Sequence, residues 1–245
     1  MRPKGLTLDT TTDGHLTRCT LALAGVVEAR GALADGKLTG PWTVFGPDGA
    51  EVFSADLTGD DVTTTAEASQ LRTDLTIALM QRWLGQFDGP PAWMQRAGVG
   101  DVAWRDLVDD SRPQTVKRFP VLLHAACCPI PMVQAFAMRG LHLAMCDDEA
   151  IFPVTPIAVP ILVALAGEPG APVEWVAEVL VEVADAVTAQ VDDQELDLDE
   201  EIAEATLLGR TAAALRAAHA TLSAAPARGP ELDLLVRQLS EYFSS

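Results

Sequence analysis

Positive charge is what this chain has least of: 17 of its 245 residues are lysine or arginine against 35 aspartate and glutamate, giving a formal net charge of −18. A field of that sign repels phosphate backbones, so the composition speaks against nucleic-acid binding. Lysine is scarcest, confined to Lys4, Lys37 and Lys117, and with abundant alanine and arginine this suggests GC-rich bacterial coding. Cysteine is also sparse. Four residues, two of them adjacent at Cys127 and Cys128, do not make the framework of a small disulfide-stapled secreted protein. No apolar run follows Met1-Arg2-Pro3-Lys4, and the richest apolar stretch, Ile151 to Leu165, is interrupted by Pro153, Pro156 and Pro160 and is too short to span a bilayer. The expectation is a cytoplasmic protein with no membrane segment. No phosphate-cradling loop is present either: Gly98-Val99-Gly100 lacks a third glycine at the required distance and a following lysine and serine.

What the chain does have is a repeated phrase. Phe119-Pro120-Val121-Leu122-Leu123-His124-Ala125-Ala126 is echoed forty residues later by Val159-Pro160-Ile161-Leu162-Val163-Ala164-Leu165-Ala166. A second apolar helix follows each copy, opening at Pro131 and at Pro172. A period of this length marks stacked helical hairpins, which mostly bind other macromolecules. The units run from Pro113 to Cys146 and from Pro153 to Val191, and a proline at a shared position in each first helix, Pro120 and Pro160, is expected to bend it. This pattern resembles the HEAT family of helical repeats over residues 113–191 and, more loosely, to 245. The resemblance implies a curved stack whose second helices line the concave surface.

The first sixty residues read differently. Short runs at Leu6 to Leu8, Cys19 to Leu23, Val26 to Ala29, Trp42 to Phe45 and Glu51 to Leu57 are separated by Asp13-Gly14, Asp35-Gly36, Gly40-Pro41 and Asp48-Gly49. Asp-Gly supplies the positive φ that tight hairpin turns need, so an antiparallel β-meander is expected. Gly31 to Trp42 with Asp48-Gly49 resembles the MORN repeat and related hairpins of antitoxin-like proteins, which implies a structural role for Trp42 across the ladder. From Thr65 the period turns helical, with Leu71, Leu75, Ala78, Leu79 and Trp83 on one face, a cap at Thr65 or Ser69 and an end near Gly85. The division expected is 1–62 for the meander and 63–245 for the helical repeats. The fold class is α+β, mostly α.

Past Val191 the pattern departs from a third copy. An acidic stretch, Asp192 to Glu201, precedes an alanine-rich helix from about Glu200 to Leu222, and Pro226 to Pro230 breaks it. A last helix presents Leu232, Leu235, Val236, Leu239 and Phe243 and reads as a C-terminal cap.

Chemistry has one candidate cluster, His124, Cys128, His142 and Cys146. Each His-Cys pair is spaced i, i+4, and two imidazoles with two thiolates suit tetrahedral zinc. Against this, each pair lies near the end of its own helix, so antiparallel packing separates them, and cysteine on apolar helices commonly serves as a small hydrophobe. A thiol-imidazole nucleophile at Cys127 or Cys128 with His124 lacks an oxyanion loop and an orienting carboxylate. The expectation is no enzyme, no cofactor and no metal.

Binding is signalled by the helix after Pro172. Val173, Val176, Ala177, Leu180, Val183, Ala184 and Val187 form its apolar stripe, while Glu174, Glu178, Glu182 and Asp185 follow one another on another face without a basic residue. Like charges at i, i+4 cost an isolated helix about 0.2–0.5 kcal/mol per pair. Arg210 and Arg216 on the next helix are candidate internal counter-charges; otherwise the row is a solvated face or a docking surface. The expectation is a non-enzymatic scaffold for a basic protein partner, of which an antitoxin or immunity protein is one version. A metalloprotein using the His-Cys quartet, or an architectural subunit pairing through the edge of the meander, are the alternatives.

Overall fold

A computed structural model describes residues 4–65, 67–107, 116–147, 150–193, 206–225 and 229–243. It divides into two compact units, Met1–Gly89 with Cys128–Phe136, and Pro90–Cys127 with Ala137–Ser245.

The first unit is built on an antiparallel meander in which β1 (Leu6–Asp13), β2 (Leu16–Leu23), β3 (Val26–Ala34), β4 (Lys37–Phe45) and β5 (Glu51–Asp56) pair strictly in chain order. The turns follow their residues. Asp35 and Gly36 both adopt positive φ, 49° and 78°, as a tight two-residue turn requires. The β2–β3 turn does the same with Ala24 at 51° and Gly25 at 84°, although alanine carries no turn signal. Gly40-Pro41 is not a turn: both residues lie inside β4, where Gly40 at φ 64° sits at a shift in the β3–β4 register and Pro41 faces Asp56. A bulge uses the same two properties as a turn, positive φ and a missing N–H.

Trp42 is fully buried, and its indole lies across Gly31 on the neighbouring strand. Helix α1 (Ala68–Leu84) buries Leu71, Leu75, Ala78, Leu79 and Trp83 on the face that its spacing indicates. Glu67, not Thr65 or Ser69, holds the N-cap position and makes no side-chain cap. Arg72 of α1 makes two hydrogen bonds to Glu28 of β3, at 2.7 and 2.8 Å.

The second unit opens with α2 (Ala92–Arg96) and two single-turn 3-10 segments, Val99–Asp101 and Trp104–Leu107. The Trp104 indole donates to the Val99 carbonyl at 2.9 Å and stacks on Phe119 at 4.9 Å between centroids. Helices α3 (Phe119–Ala125), α4 (Pro131–Met145, of which Ala137 onward belongs to this unit), α5 (Thr155–Ala166), α6 (Val173–Asp193), α7 (Leu207–Ala224) and α8 (Pro230–Tyr242) complete the chain's described helices. Gly140 of α4 admits Leu122 of α3 so closely that a Cβ there would meet the leucine at 2.8 Å.

The principal stack lies later in the chain than the repeated phrase indicates. α5 packs along α7 and α6 along α8, while α5 with α6 and α7 with α8 form the consecutive pairs. Two hairpins, 155–193 and 207–242, are thus laid side by side. The prolines differ from expectation too. Pro120 stands in the first turn of α3, where its absent N–H has no partner to lose; its structural counterpart is Pro156 in the first turn of α5, whereas Pro160 lies inside α5. The shared bend at Pro120 and Pro160 is therefore not a feature of both units.

Among the described residues no helix is long and apolar enough to cross a membrane.

Candidate functional site

The acidic row lies on α6, and half of the His-Cys quartet, carried by α4 and the strand after it, meets that row at Glu182. α6 begins after the buried Pro172, and Val176, Leu180, Val183, Ala184 and Val187 of the expected stripe are buried. Val179, Ala186 and Val191 are buried as well. The apolar face is wider than one stripe because α5, α7, α8 and a two-residue β-ladder all pack on this helix. That ladder, β6 (Cys146–Asp147) with β7 (Ala150–Ile151), follows directly on α4.

The four acidic residues have different surroundings. Glu174 and Glu178 are exposed, and their carboxylates make no ion pair or hydrogen bond among the described residues. Glu174 lies in the first turn, where the helix dipole favours a negative charge. Between them, Trp175 leaves 37% of its surface exposed, one of the few large apolar side chains so placed. Glu182 instead reaches the imidazole of His142, Oε2 to Nε2 at 2.6 Å. Asp185 accepts a hydrogen bond from the Tyr242 hydroxyl of α8; burial first, then this carboxylate, pushes the phenol up to about 12. Arg210 donates from Nε to the Thr206 carbonyl at 3.4 Å, and Arg216 lies over the Phe243 ring. The acidic stretch read at 192–201 falls from residue 194 onward outside the described residues.

Of the quartet, His142 and Cys146 come together, and their third companion is Glu182. One donor atom from each lies within 4.8 Å of the others, the sole such group of three among the described residues. His142 occupies the last turn of α4 and Cys146 the first position after it. The helix end is held by the Phe152 amide, which donates to the Met145 carbonyl at 3.0 Å, and by the Thr155 hydroxyl, which donates to the same carbonyl. Cys146 is buried, and burial, with the charges of Glu182 and Asp147 beside it, pushes its thiol up to about 12. His124 is buried in α3 and its desolvation lowers its affinity for a proton. Cys128 is buried in the bend after α3. Neither belongs to the three-donor group, as the placement of the pairs at separate helix ends anticipates. Cys127 is partly buried and its thiol is pushed up to about 11, mainly by desolvation, the reverse of what an activated nucleophile needs.

Comparison with known proteins gives no match to a family model, to a curated protein or to a solved structure.

Glu182 was legible as a member of an acidic row but not as a partner of His142. The two are forty residues apart, and their meeting is a tertiary contact. The sequence signal for Trp175 is an aromatic at i+1 and i−3 from the two glutamates, off the apolar stripe.

Proposed function

We propose that the chain is a non-enzymatic protein-binding scaffold, a short HEAT-like stack of helix pairs joined to a MORN-like meander, and that a basic protein partner docks on α6 at Glu174, Trp175 and Glu178. The observation that carries this reading is the exposed indole of Trp175 between two carboxylates that no described residue neutralises. Tryptophan concentrates binding energy because it buries a large rigid surface, and its face attracts lysine and arginine. Flanking carboxylates would pair with the same cations, and the overall charge of −18 would speed their approach. Glu182 and Asp185, which have partners inside the fold, would add to the field without making the primary contacts. An antitoxin or immunity protein, acidic against a basic target, is one concrete form of this reading.

The test is affinity capture from the native host at low and high salt with three baits: the native chain, Glu174→Gln with Glu178→Gln, and Trp175→Ala. A basic protein retained by the native chain, weakened by salt and lost with both variants is the expected result. Capture that ignores salt and both sets of substitutions would remove this surface from consideration.

A further inference from the structure

A second site lies one to two turns along α6, where Glu182 continues the acidic row of Glu174 and Glu178 but is engaged by His142 inside the fold. Three side chains of different donor chemistry converge there: His142 Nε2 stands 2.6 Å from Glu182 Oε2, and Cys146 Sγ completes a set whose members lie within 4.8 Å of one another. We propose that His142, Cys146 and Glu182 bind a single divalent cation of the zinc class through imidazole nitrogen, thiolate sulfur and carboxylate oxygen.

Donor geometry supports it. Bonds of about 2.0–2.3 Å in a tetrahedral arrangement set donors roughly 3.3–3.7 Å apart. The widest pair therefore has to close by little more than about 1 Å and the His142–Glu182 pair, at 2.6 Å, to open by about 0.7 Å, both within the reach of side-chain rotation. Donor type selects the ion: sulfur and imidazole suit zinc and its neighbours, whereas magnesium and calcium require oxygen shells. Cys146 is 1% exposed and its sulfur has no hydrogen-bond partner among the described residues, so a polarisable donor is already held inside the protein and turned towards the other two. Charge balances as well. Thiolate and carboxylate together neutralise a dication, the imidazole binds in its neutral form, and the thiol proton leaves to solvent with any proton shared between His142 and Glu182.

Support and access are both present. The four-residue spacing fixes His142 relative to Cys146, and the bonds from Phe152 and Thr155 to the Met145 carbonyl secure the backbone just before the cysteine. The Glu182 side chain is 44% accessible and that of His142 29%, so an ion arrives from solvent and a water can take the fourth position.

The experiment is a titration of the chelator-treated full chain with cobalt(II) chloride, followed by zinc chloride. One equivalent of cobalt should bind with a thiolate-to-cobalt charge-transfer absorption that zinc abolishes. Cys146→Ser should lose that absorption, and Glu182→Gln and His142→Ala should each weaken the apparent affinity at least about tenfold. Glu182→Gln changes a partly exposed side chain and keeps the test decisive if the cysteine variant does not fold. Absence of charge-transfer absorption in the native chain, or equal cobalt affinity in the native chain and Glu182→Gln, would overturn the assignment and leave only surface carboxylates as the binders.

Discussion

The indole of Trp42 rests on the bare Cα of Gly31: a Cβ added there would fall 2.1 Å from Cδ2 of the ring and 2.4 Å from Cε2. No rotation of a methyl group relieves such an overlap, because the neighbour is a rigid, fully buried ring in a sheet.

Gly31→Ala is therefore expected to destabilise the meander by about 1–3 kcal/mol or more, the range for overfilled cores. Gly89→Ala, at an exposed position with nothing within 4 Å and no positive φ, should change stability by less than about 0.5 kcal/mol. Urea denaturation followed by tryptophan fluorescence measures both. Equal midpoints for the two variants would show that the ring does not depend on the glycine.

A second expectation concerns Arg72 and Glu28, whose side chains are 22% and 16% exposed. Both prongs of the guanidinium are used, so removing it leaves a carboxylate largely shielded from water with no countercharge. Arg72→Ala should cost about 2–3 kcal/mol, somewhat below the full penalty for a buried pair. Arg72→Met with Glu28→Leu should recover most of that loss. A double variant no better than the single one would mean that packing of the arginine stem, and not the stranded charge, dominates.

The thiols should be slow to react in the folded protein. Cys19, Cys128 and Cys146 are buried, and burial raises the affinity of Cys19, Cys127 and Cys146 for their protons. Thiolate is the reacting species, so iodoacetamide at pH 8 should modify the native chain far more slowly than the chain in guanidinium, where all four cysteines titrate normally. Intact-mass spectrometry over time reads the difference. Rapid native labelling at Cys127, the one only partly buried, would place an activated thiol there.

Acid should weaken the fold through His124. Desolvation holds its pKa below the ordinary 6.5, so the unfolded chain takes up a proton before the folded one does. The stability contributed by this group is complete above pH 6.5 and is lost as pH falls through the lower folded value. Between pH 7.5 and 5 the native chain should lose more stability than His124→Gln, compared by urea midpoints at each pH. Parallel pH profiles would assign the acid sensitivity to other groups.

Much of this architecture was readable in the residues, for reasons that also mark where reading stopped. The stripe of α1 was plain because one face of an amphipathic helix repeats at a fixed interval, and every residue of that stripe is buried. Asp35-Gly36 announced its turn, whereas Ala24-Gly25 did not, since the sheet on either side imposes on alanine a conformation that its own preferences disfavour. Gly40-Pro41 reads as a hairpin turn but lies inside β4, because a bulge draws on the same residue types as a turn. The prolines misled through alignment: matching Pro120 to Pro160 aligns letters, while matching it to Pro156 aligns helix starts, and only hydrogen bonding decides between them. The candidate sites were half visible. The four-residue spacing indicated that His142 and Cys146 are neighbours, although Cys146 lies just past the helix end in β6, and it aligned the carboxylates of α6; the meeting of those sets is a long-range contact that no local period encodes.

The path of the backbone between the two units has a practical bearing. Because the first unit takes in Cys128–Phe136 as well as Met1–Gly89, a truncation after Gly89 would not yield a complete half. Limited proteolysis or recombinant fragments cut there would strip that unit of nine residues that include the buried Ile130, Met132 and Val133. Point substitution keeps both units whole where a cut at Gly89 would not.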